Sequence, residues 1–209
     1  MVNLNLMEYV ERNILPRYQE FDKAHSMEHV TSVIRRSLVT ARKCGADENM
    51  SYVVAAYHDL GLSGPRAVHH ITSGRMLQSD TRLRKWFSQE QIRIMREAVE
   101  DHRASASHAP RSIYGKIVAE ADRDLTHHTV FRRTVQFGLA NYPEKTKQEH
   151  WERFRQHMHD KYAETGYIHL WIPGSPNEES LRELREIIAD DDLLHSHFEK
   201  HFEEEIAEE

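Results

Sequence analysis

Apolar residues recur at steps of three and four along almost the whole chain, and strand-like alternation is scarce, so the pattern predicts helix nearly throughout. Residues 3–20 read as a first helix, bent or ended by Pro16. The stretch "SMEHVTSVIRRSLVTARKCG" reads as a second that stops at Gly45, since glycine is favoured just past a helix end. A third covers Glu48 to Leu60, with Gly61 as its expected stop. "VHHITSGRMLQSD" is a fourth. "SQEQIRIMREAVEDHR" is a fifth, opened by Ser88 and Gln91 at the spacing of a capping box. "PRSIYGKIVAEADRDL" is a sixth. Beyond it lie helical stretches near 127–141 and 144–165, a loop "GYIHLWIPGSPN", and one final acidic helix running to Glu209. The expected fold is all-α: a single domain over 1–209 whose C-terminal third packs against its core.

Composition narrows the function classes. A chain of 209 residues, 30% charged and 39% hydrophobic, can bury one sizeable core. A formal net charge of -6 argues against an extended nucleic-acid surface, while leaving room for a small phosphorylated substrate held by local Arg and Lys. The lone Cys44 permits no intramolecular disulfide and fits a reducing compartment. No run approaches a membrane span and the N-terminus has no basic, apolar leader, so the expectation is a cytoplasmic protein without membrane contact. Self-association into a homo-oligomer is compatible with all of this. The 16 histidines change the picture most, because neutral imidazole is the commonest metal ligand.

Several of those histidines interrupt apolar helical faces. His25 and His29 lie four apart, on one face with Val33. His58 and Asp59 end the apolar run "SYVVAAY"; they either satisfy nearby backbone groups as a capped helix end or bind something. His69 and His70 open the fourth helix. His102 continues the stripe of Ile92, Met95 and Val99, and Asp122 follows Tyr114 and Val118 by the same four-residue step. Each helix thus carries its polar chemistry inward, as helical metal sites require.

The ordered series of His29 in "AHSMEHVTSVIR", His58 and Asp59 in "YHDLG", and Asp122 in "AEADRDL" resembles the HD superfamily of metal-dependent phosphohydrolases. The resemblance covers residues from about 20 to about 125, leaving a helical extension from about 126 to 209. It implies that these four side chains hold a divalent metal. A two-metal subset, which includes bacterial hydrolases of dinucleoside polyphosphates, adds two histidines. "VHHITSGRML" and "AVEDHRAS" are similar to those additions. In that subset two small residues follow the first added His by four and five positions. Ser73 and Gly74 meet that spacing from His69, so His69 is preferred to His70 as a ligand, and His102 is the second. The chain departs from the pattern after the pair, where a Lys is often found and "LGLSGPR" stands here.

The resemblance implies one or two ions of Mn, Fe, Ni, Co or Zn, which suit mixed imidazole and carboxylate ligands better than Mg or Ca alone. Asp59 and His58 would be the catalytic pair, with Asp59 bridging two metals and orienting a nucleophilic hydroxide. The substrate would be small, phosphorylated and nucleotide-like. Arg66, His70, Arg103, His108, Arg111 and Lys116, close in sequence to the ligands, are the candidates for compensating phosphate charge. Two other functions share the scaffold: an HD-fold di-iron oxygenase, and a non-catalytic nucleotide-binding module.

Other histidines read differently. In "HSMEH" the Glu follows the first His by three positions, unlike a zinc-protease motif. His25 either orients His29 or caps the helix. "THH" at 126–128 and "QHMHDK" at 156–161 are expected on the surface, and His197 with His201 lacks an accompanying carboxylate series. Trp86, Trp151 and Trp171 are expected as packing anchors.

Overall fold

The computed structural model describes residues 1–21, 27–104 and 108–208. His25 lies outside the described residues. Among those described there are ten α-helices, short 3₁₀ turns and no strand, in agreement with the periodicity. They form two compact units, Met1–Arg123 and Asp124–Glu209.

In the first unit α1 (Leu4–Asn13) starts at Asn3, whose side chain accepts the Leu6 N–H. Pro16 sits in the first turn of a 3₁₀ segment, Leu15–Glu20, where its missing N–H costs nothing. Helix α2 (Met27–Cys44) ends at Gly45, which takes the left-handed φ of +66° that glycine adopts freely. Helix α3 (Glu48–Tyr57) is capped by Asp47 and buries every residue from Met50 to Tyr57. A helix apolar all round belongs at the centre, and α2, together with the helices Gln89–Glu100 and Ile113–Ala121, packs around it. Then come α4 (His69–Ser79), α5 (Gln89–Glu100) and α6 (Ile113–Ala121). The Ser88–Gln91 capping box forms as expected.

Gly61 does not stop α3. The helix ends at Tyr57, and Gly61 lies inside a 3₁₀ turn, Leu60–Ser63, without positive φ. Glycine is needed here for close approach: a Cβ would stand 2.1 Å from the His69 carbonyl oxygen and 2.8 Å from the Ser73 N. The Gly61 N–H donates to Ser73 Oγ at 2.8 Å, which fastens α4 to the end of α3. On the next face of α4, a Cβ on Gly74 would meet Glu100 Cγ at 2.9 Å. The small Ser73–Gly74 pair therefore seats α4 between the turn and α5, and so delivers His69 beside Asp59. Gly61→Ala should destabilise the unit by about 3 kcal/mol or more, because backbone cannot yield as a flexible side chain can. Denaturant unfolding with unchanged midpoint would contradict this packing.

The second unit comprises α7 (His127–Asn141), α8 (Lys147–Tyr162), α9 (Pro176–Ala189) and α10 (Asp191–Glu208). Its core includes Phe131, Phe154 and Phe198, with ring centroids 5.5 and 5.3 Å apart. Three expectations need correction. The single final helix is two, broken at Asp190, whose backbone is extended and whose carboxylate accepts the Leu193 N–H. An Asp side chain competing for backbone donors favours a cap over a helix interior. The stretch 156–161 is not a surface run, since Met158 is buried and His157 half-buried in the unit's core face. His127, likewise half-buried, faces His197 with ring centroids 5.4 Å apart.

Candidate metal centre

Six side chains from five places in the first unit converge. His29 comes from α2, His58 and Asp59 from the end of α3, and His69 from the first turn of α4. His102 follows α5 and Asp122 caps α6. Arg36 holds the latter end in place by donating to the Arg123 carbonyl at 3.0 Å. His29 Nε2 is 3.1 Å from Asp122 Oδ1 and 3.7 Å from Asp59 Oδ2. His58 Nε2 is 3.2 Å from Asp59 Oδ2 and 3.6 Å from Asp122 Oδ1. The other oxygen of the same aspartate, Oδ1, lies 3.3 Å from His69 Nε2 and 3.4 Å from His102 Nε2. Two ligand sets result, His29–His58–Asp59–Asp122 and Asp59–His69–His102, each with donor atoms within 4.8 Å of one another. Asp59 belongs to both.

The protonation pattern suits a cation. Three of the histidines place Nδ1 against the carbonyl three residues earlier: His58 on Ala55 at 2.8 Å, His69 on Arg66 at 2.8 Å, His102 on Val99 at 2.7 Å. A carbonyl only accepts, so each Nδ1 carries the hydrogen and each neutral ring turns the lone pair of Nε2 toward the centre. Yet His69 and His102 bring their Nε2 atoms to 3.1 Å, and His29 and His58 to 3.3 Å. Lone pairs that close repel unless positive charge lies between them. A metal ion fits this donor set. Burial pushes the His58 imidazole down, but Asp59 and Asp122 outweigh it and raise it well above its ordinary value. Burial likewise pushes the Asp59 carboxyl up, yet His58, His102 and His69 hold it far below the usual carboxylate range. His58 thus caps α3 with one nitrogen, as one reading of the His-Asp pair expects, and faces the carboxylates with the other.

Residues 27–126 match the family model described as HD domain. The chain carries an HD domain. HD domain proteins are mostly metal-dependent hydrolases, and they bind divalent metals. No curated protein and no solved structure matches the chain. Among the described residues, no helix is long and apolar enough to cross a membrane.

Around the HD centre, the residues expected to meet phosphate divide. His70 stays out of both ligand sets; its ring stands edge-on to His69, and its buried Nδ1 has no hydrogen-bond partner among the described residues. Burial and the neighbouring Arg103 push its imidazole down to about 4, so it is neutral at pH 7. Arg103 donates to the Ala67 carbonyl at 2.9 Å and so stays at the rim beside His70. Arg66 is exposed on the turn whose carbonyl holds His69. Lys116 is half-buried on α6 and belongs to neither ligand set. His108 is exposed, 3.9 Å from Asp101.

Arg111 differs from its expected role. Its guanidinium donates to both carboxylate oxygens of buried Asp101, to Glu100 and to the Glu97 carbonyl, and its own N–H donates to Asp101 at 2.7 Å. Those donors are spent within the protein, and the residue clasps the end of the segment that begins at His102. Asp101 was missed in the sequence, where its only mark is adjacency to His102; its partner ten residues on leaves no periodic trace. Arg111→Ala should cost roughly 1–3 kcal/mol of stability, the scale of hydrogen bonds to a charged group at a partly exposed site. Chemical denaturation measures it, and an unchanged midpoint would show the clasp to be idle.

Proposed function

We propose that the chain is a metal-dependent hydrolase of phosphoester or phosphoanhydride bonds in a small, nucleotide-like substrate. The observation that carries this reading is Asp59, whose two oxygens each face a separate set of imidazole Nε2 atoms. That arrangement suits one ion or a bridged pair of Mn, Fe, Ni, Co or Zn. When bound, a divalent ion supplies an acidified water and polarises a phosphoryl oxygen. The protein's own part is to hold His29, His58 and Asp122 on one side of Asp59 and His69 and His102 on the other. Asp59 is placed to accept a hydrogen bond from the attacking water and orient it. Arg66, Arg103 and neutral His70 stand at the rim beside His69, where a phosphate group would be met by cationic and hydrogen-bonding groups.

The test is metal analysis of purified protein followed by a panel of nucleotides and phosphoesters, with each divalent ion restored after chelation. Phosphate or nucleotide monophosphate release that depends on the ion is expected. Ferrous iron with oxygen consumption and no phosphate release would move the assignment to an oxygenase. Tight nucleotide binding without turnover would make the chain a binding module.

A further inference from the structure

The segment ahead of the matched HD domain is pinned by a stripe at a strict four-residue step, Val2, Leu6, Val10, Ile14 and Tyr18, all buried. Only Tyr18 ends this stripe in a polar group, and at 1% exposure its hydroxyl needs partners inside the protein. It has two. The hydroxyl donates to the Ala56 carbonyl at 3.0 Å and accepts the Asp59 N–H at 3.3 Å. The phenol ring lies along the His58 imidazole, with centroids 6.5 Å apart and planes at 29°, while Phe21 meets it edge-on.

Both backbone groups belong to the point where α3 gives out. A helix leaves its last carbonyls without partners. His58 Nδ1 takes the carbonyl of Ala55, and Tyr18 takes that of Ala56. Asp59 has already left helical geometry, with φ −111° and ψ 5°, and the Tyr18 hydroxyl ties its amide across that bend. The bend decides where both carboxylate oxygens point, because a tilt at the Asp59 Cα swings them together.

We propose that Tyr18, outside the matched domain, is a positioning residue for the metal centre: its hydroxyl fixes the Asp59 backbone so that one carboxylate serves both ligand sets. This rests on the metal reading above. A role confined to packing would be filled equally well by phenylalanine, which has the same ring and lacks the bridging oxygen.

Tyr18→Phe tests it, with Mn²⁺ titrated calorimetrically into metal-free protein and helical content followed by circular dichroism. Affinity should fall roughly 10–100-fold, the usual consequence of removing a group that orients a metal ligand, while helical content stays at the wild-type level. Tyr9→Phe is the comparison: it removes a hydroxyl from the same segment, but one bonded to Asp80, beyond the far end of α4. Its Mn²⁺ affinity should match wild type. Unchanged affinity in Tyr18→Phe, or equal losses in both variants, would overturn the positioning role. A wild-type chain that takes up none of Mn²⁺, Fe²⁺, Co²⁺, Ni²⁺ or Zn²⁺ in the same titration would instead overturn the metal reading itself, and this inference with it.

Discussion

Asp59→Ala should reduce hydrolysis to the uncatalysed background and strip most bound metal from the protein, while the helices remain. The carboxylate is the one side chain common to both ligand sets, so its loss removes a donor from each. The fold should survive because the cap on α3 is made by His58 Nδ1 and the helix packs through Val53, Val54 and Ala56. Asp59→Asn sharpens the result: it keeps the volume and removes the charge that faces four imidazoles. Metal content, phosphate release and circular dichroism on the same preparations decide the matter. Retained activity would refute the assignment of Asp59, and global unfolding would recast the His-Asp pair as a structural cap.

The paired change His69→Ala with His102→Ala addresses the number of ions. Both rings point Nε2 at Asp59 Oδ1, and both are fixed by backbone carbonyls, so they form a half-site of their own. The double variant should lose about one equivalent of metal, as expected for a two-metal site reduced to one, and keep the set of His29, His58, Asp59 and Asp122 occupied. Activity should fall far more than metal content if the second ion is needed for turnover. Weaker substrate binding at unchanged stoichiometry would show that the two histidines contact phosphate. No change in either quantity would remove them from the site.

Much of this was legible from residue order alone. The step of three and four marked the helices, and Gly45 and the Ser88–Gln91 pair marked two of their ends, because helix formation and capping depend on neighbours within one or two turns. The same locality showed that His102 and Asp122 continue core-facing stripes, whereas the preference for His69 over His70 came from the resemblance to the two-metal HD subset and not from the residues themselves. Tertiary structure decided the rest. Gly61 looked like a helix stop and proved to be a contact point for α4, since the atoms it must avoid lie eight and twelve residues away. Arg111 looked like a phosphate ligand until Asp101 claimed it. Nothing in the order of residues separates the two oxygens of Asp59 or brings Tyr18 to its amide. Periodicity states which face of a helix is apolar, whereas the meeting of donors within a few ångströms depends on how five helices and an N-terminal segment pack, and sequence spacing carries no record of that distance.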